Sequence, residues 1–424
     1  LRRCYRPDSK ARGPKRHPKS DLSGGKDILM SLERLSFLVA AILAICGACR
    51  PSDMPGRTGS IDGGEAPDNN DTGVPYWSAE TTWRFEEDLR IGGVDGDTLY
   101  EFGQVSSVAA DSRGVIYVVD GMAREVRTYN PDGSFRSSVG REGHGPGEFI
   151  GVSAVSVGPG DTLLALDFAG GRYSLFDPEG LFVKSYPRLI GGYVASLSGV
   201  VQSDGSFVDW DLTFPAGRMG PLASIEPIKF DLETGEAHDT FPPIAHEWPM
   251  LPRGRMPDVT FGGNVIAAAV GDGTFWFAHS REYRVFRRTL DGDTVGILEG
   301  FAEPAPLDEA DREFIRNRFQ RRPDLVADYL SILPKTRPIV FGIVPDGNGH
   351  VYVFLDAEGS HSGGLVDVFT NDGRYLGQME FPLRLRPRRT GEPPVVFANN
   401  EYILVVVSDS LDVPYVSRLR ILRP

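Results

Sequence analysis

The chain has 424 residues, and 41% of them are hydrophobic, which is enough to bury a large core. Its 45 Lys and Arg residues are outnumbered by 58 Asp and Glu residues, and the formal net charge of -13 argues against nucleic acid as a partner. The 50 Gly and 32 Pro residues indicate many turns, as an all-β fold of short strands requires.

The first 49 residues are interpreted as an upstream extension followed by a signal peptide. Residues 1–29 are basic and do not begin with Met, so Met30 is the expected start. The apolar run at 35–45 is too short for a membrane span, which needs about 20 residues, but it suits the core of a signal peptide. The small residues before Cys49 resemble a bacterial lipobox, in which cleavage leaves a lipidated cysteine. We therefore expect an exported protein in the periplasm or at the cell surface, with lipid on Cys49 as its only membrane contact.

The alternative is secretion by cleavage near Ala48, because Cys46 stands where a lipobox usually has Leu. All three cysteines precede residue 50, so no disulfide is expected in the folded part. Residues 50–75 are rich in Gly, Ser, Asp, Asn and Pro, which predicts a flexible linker. Residues 76–424 are assigned to the folded domain, which we expect to be a monomer.

Residues 105–149 contain four short runs of β-branched and aromatic residues, each closed by Gly, Pro, Asn or Asp. This pattern predicts a four-stranded antiparallel meander. Its copies are marked by an aromatic residue near the end of the third strand, followed closely by an acidic residue and Gly. The marker aromatics are Tyr129, Phe176, Phe230, Phe286 and Phe369. Repeats of roughly 50 residues with four strands each are typical of propeller blades.

An acidic residue closes the second strand in most copies, and His279 takes its place in one. The acids are Asp120, Asp167, Asp209, Asp356 and Asp409. We expect each carboxylate to accept backbone N–H bonds in its own turn or to pair with a following arginine, such as Arg124. The alternative is a rim that binds a ligand or cation, with Asp120, Asp167, Asp356 and His279 as candidate residues.

The sixth copy, residues 402–422, lacks its last strand. At the other end of the chain, residues 83–92 match the fourth strand of the first copy and the glycine after it. The pair Glu101-Phe102 then matches Glu148-Phe149. We therefore predict that this N-terminal strand pairs with residues 417–422 and completes the last blade, because closure removes sheet edges that would otherwise pair with other chains.

Together these motifs resemble the NHL-repeat and related six-bladed β-propeller proteins. The loop from Gly143 to Phe149, with the sequence Gly-His-Gly-Pro-Gly-Glu-Phe, is the best single match. The resemblance covers about Trp83 to Leu422 and implies an all-β, six-bladed β-propeller. It implies little about function, since known members include binding modules, lyases and lactone hydrolases.

Residues 303–338 break the β pattern and predict a helical hairpin inserted between the fourth and fifth blades. Asp308 can cap a first helix, which is predicted to extend to Arg322. A second helix follows, with apolar residues at helical spacing. The first helix carries several arginines. We expect the hairpin to help form the main pocket at one end of the channel, with Arg316 or Arg318 facing an acidic or polar ligand. The alternative is a solvated basic face.

The sequence contains neither a G-x-S-x-G nor an H-E-x-x-H motif, and its histidines are scattered, so no catalytic residue is identified. No cofactor is predicted, with calcium or zinc as the alternative. The interpretation is a module that binds a small molecule, a glycan or a protein at the mouth of the channel. The competing hypothesis is a lyase or lactone hydrolase with a metal on the propeller axis.

Overall fold

The fold is known from a computed structural model. It describes residues 75–424 except 79, 94–95, 191–198, 215–220, 253–260, 357–363, 384, 386–392 and 410. The predicted signal peptide, Cys49 and almost all of the predicted linker therefore lie outside the described residues.

Six antiparallel sheets form the blades of the fold, and strands follow chain order within each of the first five. Blade 1 contains β2 (Val105–Ala110), β3 (Ile116–Asp120), β4 (Glu125–Tyr129) and β5 (Phe135–Val139). Blade 2 contains β6 (Val152–Val157), β7 (Leu163–Asp167), β8 (Arg172–Phe176) and β9 (Phe182–Pro187). Blade 3 contains β10 (Val200–Val201), β11 (Ser206–Thr213), β12 (Leu222–Asp231) and β13 (Ala237–Thr240), and β14 (Ile244–Glu247) also pairs with β12. Blade 4 contains β15 (Val265–Ala269), β16 (Thr274–His279), β17 (Arg284–Thr289) and β18 (Thr294–Glu299). Blade 5 contains β19 (Val340–Pro345), β20 (His350–Leu355), β21 (Leu365–Thr370) and β22 (Tyr375–Glu380).

Blade 6 joins the two ends of the folded chain. It contains β23 (Val396–Ala398), β24 (Tyr402–Ser408) and β25 (Pro414–Leu422), and β1 (Arg84–Ile91) is its outer strand. The pairing of β1 with β25 runs from Arg84 opposite Leu422 to Ile91 opposite Val416. The predicted closure by an N-terminal strand is confirmed.

The core is divided among the junctions between neighbouring blades. Among the residues that the structure describes, each of the six junctions holds a cluster of buried apolar side chains, including the junction of the last blade with the first. The marker aromatics of the repeats lie in the third strands and are buried; Tyr129, for example, is fully buried. The strands therefore need apolar residues on both faces, since each sheet is covered on both sides.

The Gly-rich loop after blade 1 shows why its motif has this form. Gly140 has a φ of 71°, and a Cβ placed on it would lie 2.1 Å from the ring of Phe149. The matching Gly92, with a φ of 118°, would bring a Cβ to 3.0 Å from the ring of Phe102. In both places glycine allows the aromatic residue of the next connection to pack directly on the backbone.

The insertion forms the predicted helical hairpin between β18 and β19. Helix α1 (Glu309–Arg318) begins with a capping box between Asp308 and Asp311, and α2 (Pro323–Ile332) follows it. The first helix ends at Arg318 and not at Arg322 as predicted. Tyr329 stacks on Phe319 at 4.6 Å between ring centroids. Among the described residues, neither helix is long and apolar enough to cross a membrane.

Candidate functional site

The two faces of the ring can be distinguished by its turns, because neighbouring strands in each blade are antiparallel. We call one the cavity face; it carries the turn between the first and second strands of each blade. We call the other the insertion face; it carries the turn between the second and third strands and the connections from blade to blade. The hairpin of residues 303–338 lies in such a connection and packs on Leu251 and Phe261 from the connection before blade 4.

A cavity of about 520 Å³ lies in the channel between the first strands of the six blades. Its wall is formed mainly by the later residues of these strands and by the turns that follow them, which places it toward the cavity face. Ala110 of β2, Val157 of β6, Ala268 of β15 and Ile343 of β19 are typical of this wall. Pockets of roughly 300–1,000 Å³ hold drug-sized ligands, so the cavity is large enough for a small molecule.

None of the residues in the insertion, 303–338, lines this cavity. The prediction that the hairpin helps to form the main pocket is therefore wrong for the channel cavity. The reason is topological: a segment between two blades emerges at the insertion face, whereas the cavity is built from strand ends at the opposite face.

The wall of the cavity carries little charge. Among its described residues there is no Lys, Arg or His, and the charged ones are Asp161 and Asp346. Asp161 accepts hydrogen bonds from the backbone N–H and the hydroxyl of Ser112, both at 2.9 Å, and lies 3.5 Å from Nε of Arg113. Both oxygens of Asp161 are therefore engaged by protein groups.

Asp346 is also engaged by its own turn. It is 3% exposed and contacts Nδ1 of His350 at 2.9 Å, and it accepts the N–H groups of Asn348 and His350. Burial alone would raise the pKa of Asp346, but these hydrogen bonds outweigh burial and lower its pKa. The carboxylate is therefore a structural part of the turn.

Two serines in the wall complete the backbone hydrogen bonding of neighbouring blades. Oγ of Ser107 in β2 accepts the N–H of Val155 in β6 at 3.2 Å. Oγ of Ser156 in β6 accepts the N–H of Val201 in β10 at 3.1 Å. First strands of adjacent blades are thus joined around this part of the channel without a charged group.

The acids predicted as candidate site residues lie on the insertion face. Asp120 is 1% exposed, and its oxygens accept four backbone N–H groups at 3.0–3.2 Å. The donors are Gly103, Gln104, Met122 and Ala123. Arg127 approaches Asp120 to 3.7 Å, whereas the expected partner Arg124 forms an ion pair with Glu142. The predicted pairing of Asp120 with Arg124 is therefore wrong, because the Arg124 side chain reaches a different loop.

Asp167 has the same arrangement one blade further along. It is fully buried, accepts the N–H groups of Ile150, Gly151 and Gly170, and pairs with Nε of Arg172 at 3.2 Å. In both blades the carboxylate ties the blade-to-blade connection to the turn after the second strand. Asp356 is 7% exposed and follows β20 at the same face. The structure therefore gives Asp120 and Asp167 structural contacts, and a ligand role for them stays a prediction.

His279 closes β16 on the insertion face and lies beside a histidine that the sequence did not indicate. Its ring centroid is 6.1 Å from that of His246 in β14, and His246 also contacts the ring of Trp248 at 5.3 Å. Burial lowers the pKa of both imidazoles, to about 4 for His246, where His279 adds a smaller effect. Both rings are therefore neutral at neutral pH. No motif joins these two residues, because β14 is an additional strand outside the repeat.

Arg312 and Arg316 of α1 pair with acids of the same helix. Arg316 lies 2.8 Å from Glu309 and 3.0 Å from Glu313, and the guanidinium of Arg318 lies over the ring of Phe319 at 5.6 Å. These contacts are those of a solvent-facing helix surface. Arg316 and Arg318 lie on the opposite face from the cavity, and their role in ligand binding stays a prediction.

No group of three or more His, Cys, Asp or Glu side chains placed to hold a metal ion occurs in the described part of the chain. The polar groups of the cavity wall that sequence reasoning missed, Ser107, Ser156 and Asn399, carry no repeated motif. Asn399 precedes the second strand of the last blade, and only its turn chemistry could have indicated it.

The comparisons with known proteins agree with the ring described above. Residues 98–185, which span the first blade and nearly all of the second, match a protein family described as a 6-bladed beta-propeller. No curated protein matches the sequence at a significant level. The narrower NHL-repeat type stays a prediction.

Several solved structures are similar to the chain at low sequence identity. One is a protein from Bacteroides fragilis that is thought to be exported, with a TM-score of 0.49 and 11% identity over 81% of this chain and 95% of that one. Another is a member of the duf4221 family from Bacteroides vulgatus, with a TM-score of 0.47 and 10% identity over 81% and 99% of the two chains. A third is virginiamycin B lyase from Staphylococcus aureus, with a TM-score of 0.42 and 10% identity over 80% and 100%.

Proposed function

We propose that this protein is an exported, lipid-anchored β-propeller that binds a small molecule in its channel. The observation that carries the proposal is the cavity of about 520 Å³ among the first strands of the blades. Of the ligand classes considered from the sequence, a small molecule suits an internal cavity, whereas a folded protein needs an open surface.

The proposal has a direct test with the neutral fluorophore N-phenyl-1-naphthylamine, which becomes brighter in an apolar site. Ala268→Phe and Val270→Trp add rings to the cavity wall, and each should weaken binding at least tenfold. Val183→Trp is the matched control, since Val183 is 51% exposed on the outer strand of blade 2 and does not line the cavity. Circular dichroism and melting temperature verify that each variant is folded.

Two results would contradict the proposal. Equal affinity of the wild type and both channel variants would place the fluorophore elsewhere, and no binding by the wild type would leave the cavity without a function for this class of ligand. Loss of affinity in the Val183→Trp control would show that an added indole weakens binding nonspecifically.

Export and anchoring rest on the signal-peptide pattern and on Cys49. Cys49→Ser, made in the full-length chain, should move the protein from the membrane fraction to the soluble fraction. Unchanged membrane association of Cys49→Ser would refute the lipid anchor.

The competing hypothesis of a metal-dependent lyase or lactone hydrolase makes a different prediction. Purified protein would then contain a stoichiometric metal, and dialysis against a chelator would abolish turnover. The binding module predicts that fluorophore affinity is unchanged by the chelator, so elemental analysis together with the titration distinguishes the two.

A further inference from the structure

We infer that the ligand of the channel cavity is an amphipathic anion, with an apolar body in the channel and an acid group held by Arg420 and Arg423. This inference deepens the proposed function and rests on it. It joins three features: a groove that adjoins the channel, two arginines in that groove without a carboxylate partner, and a channel wall without cations.

The groove lies beside the channel cavity on the cavity face, where blade 6 meets blade 1. It has a volume of about 910 Å³ and is formed mainly by the turn after β2, the turn after β23 and the last residues of β25. The residues that line both the groove and the channel cavity are Ala110, Ser112, Phe397 and Asn399. The two spaces therefore adjoin, and one molecule can extend from the channel into the groove.

The arginines that line the groove are Arg113, Arg418, Arg420 and Arg423. Two of them are neutralised by acids of the groove itself. Nε and Nη2 of Arg418 donate to the two oxygens of Asp88 at 2.9 and 3.1 Å. Nη2 of Arg113 donates to Asp111 at 2.7 Å. Each of these pairs is neutral as a whole, so neither adds to the attraction of an anion.

Arg423 is held in place by neutral groups. Its Nη1 donates to the carbonyl oxygen of Asn400 at 2.5 Å, and its guanidinium lies 4.5 Å from the ring centroid of Trp83. Burial raises the pKa of the nearby Tyr352 phenol, and the positive charge of Arg423 opposes this rise. Asn400 follows Asn399, which lines the channel, so the guanidinium is close to the place where the two spaces meet. Within the described part of the chain, no carboxylate pairs with Arg423.

Arg420 is exposed in β25 and forms no ion pair among the residues that the structure describes. Its cross-strand neighbours are Tyr402 in β24 and Glu86 in β1, and Glu86 does not line the groove. The remaining acid of the groove, Glu401, is exposed and likewise has no ion pair in the described ranges. Two unpaired arginines are therefore set against one unpaired carboxylate, a local excess of positive charge on a chain with a net charge of -13.

These charges specify a chemical class of ligand. A planar guanidinium offers paired N–H donors that match the oxygens of a carboxylate, phosphate or sulfate group. The described channel wall has no Lys, Arg or His, so an acid group placed there would lose its hydration without gaining a cation. An apolar molecule with one acid group, such as a long-chain carboxylic acid, matches both spaces at once.

The test compares 11-(dansylamino)undecanoic acid with its methyl ester, since both become brighter in an apolar site. The two probes share one apolar body and differ in the negative charge. The wild type should bind the acid about fivefold more tightly than the ester, the effect of a partly exposed, charge-assisted contact. Added salt should weaken binding of the acid and leave binding of the ester nearly unchanged, because salt screens exposed charges.

Charge variants separate the groups of the groove. Arg420→Gln and Arg423→Gln should each reduce the preference for the acid about twofold to threefold, whereas Glu401→Gln removes an opposing charge and should tighten acid binding about twofold. Arg374→Gln is the matched control, since Arg374 is an exposed arginine that lines neither the groove nor the channel. Arg423→Lys keeps the charge without the planar fork, so it should retain part of the preference even if Arg423→Gln lowers the melting temperature.

Each contrary result has a separate meaning. Equal affinity of the wild type for the acid and the ester would overturn the assignment of an anionic ligand. A preference for the acid that persists in both Arg420→Gln and Arg423→Gln, or that falls equally in Arg374→Gln, would overturn the role of the groove. Ester binding that is insensitive to Ala268→Phe would instead refute the proposed function, because the apolar body would then lie outside the channel.

Discussion

The buried imidazole of His246 should make the stability of the fold sensitive to acid. His246 is 6% exposed, and its Nε2 has no hydrogen-bond partner. Burial and the neighbouring His279 lower its pKa from 6.5 to about 4. The unfolded chain therefore binds a proton at His246 more readily than the folded state does. The free energy of unfolding is highest above pH 6.5, where His246 is neutral in both states, and it falls as the pH decreases toward 4.

The size of the effect follows from the two pKa values of His246. Between pH 7 and pH 5 the unfolded chain becomes almost fully protonated at this residue while the folded chain does not, which costs about 2 kcal/mol of stability. His279, whose pKa is also lowered by burial, adds to the loss in the same direction. His246→Phe keeps a ring beside Trp248 and removes the titration. From pH 7 to pH 5, the free energy of unfolding of this variant should therefore decrease by about 2 kcal/mol less than that of the wild type.

The assay is urea unfolding followed by tryptophan fluorescence at both pH values. His238→Phe is the control for the substitution itself, because it also replaces an imidazole by a phenyl ring, but at a side chain that is 54% exposed. Parallel pH dependences for the wild type and His246→Phe would refute the assignment of acid sensitivity to this ring.

Three other changes test the fold. Removal of the chain through residue 92 takes away β1 and should cause aggregation, seen by size-exclusion chromatography, whereas removal through residue 74 should not change the melting temperature. Asp311 is 3% exposed and lies 2.7 Å from Arg337, so Arg337→Ala leaves a buried carboxylate without its cation. The variant should lose about 3–5 kcal/mol in free energy of unfolding and show faster hydrogen exchange in the hairpin. Asp120→Ala removes the acceptor of four backbone N–H groups and should cost about 1–3 kcal/mol in urea unfolding.

Each of these tests has a control and a contrary result. Equal melting temperatures for the two truncations would mean that β1 is not needed for closure. The double variant Arg337→Met and Asp311→Leu removes both buried charges but also the capping-box acceptor of the Asp308 N–H, so it should recover only part of the stability lost in Arg337→Ala. A single variant as stable as the wild type would show that the pair is not buried in solution. Asp120→Asn keeps one acceptor oxygen and should be less destabilised than Asp120→Ala, so equal losses would argue against the hydrogen-bonding role.

The ring itself could be predicted because its signals are local. Alternating β-branched and aromatic runs set the strands, and Gly and Asp at fixed places set the turns, so each blade is recognisable within about 50 residues. Closure could be predicted because the N-terminal strand repeats the pattern of β5, including the glycine on which the next aromatic packs. The hairpin was visible from the capping acid Asp308 and from helical spacing, and only its first helix ended earlier than expected.

The candidate site was much harder to predict. The sequence drew attention to charged and repeated residues, and the structure uses Asp120 and Asp167 to hold connections between blades. The channel cavity is instead lined largely by Ala, Val and Ile, which carry no recognisable motif. An apolar residue that belongs to no motif lines the cavity only because the fold places it in the first strand of a blade, facing the channel.

The sequence by itself therefore determined the repeat, the number of blades, the closing strand and the inserted hairpin, since these depend on neighbours within one blade or on matching patterns. Only the tertiary structure decided which face holds the cavity, that Arg124 pairs with Glu142, and that His246 lies beside His279. The physical reason is distance along the chain: the cavity brings together six strands separated by whole blades, and the reach of each side chain there depends on packing between sheets.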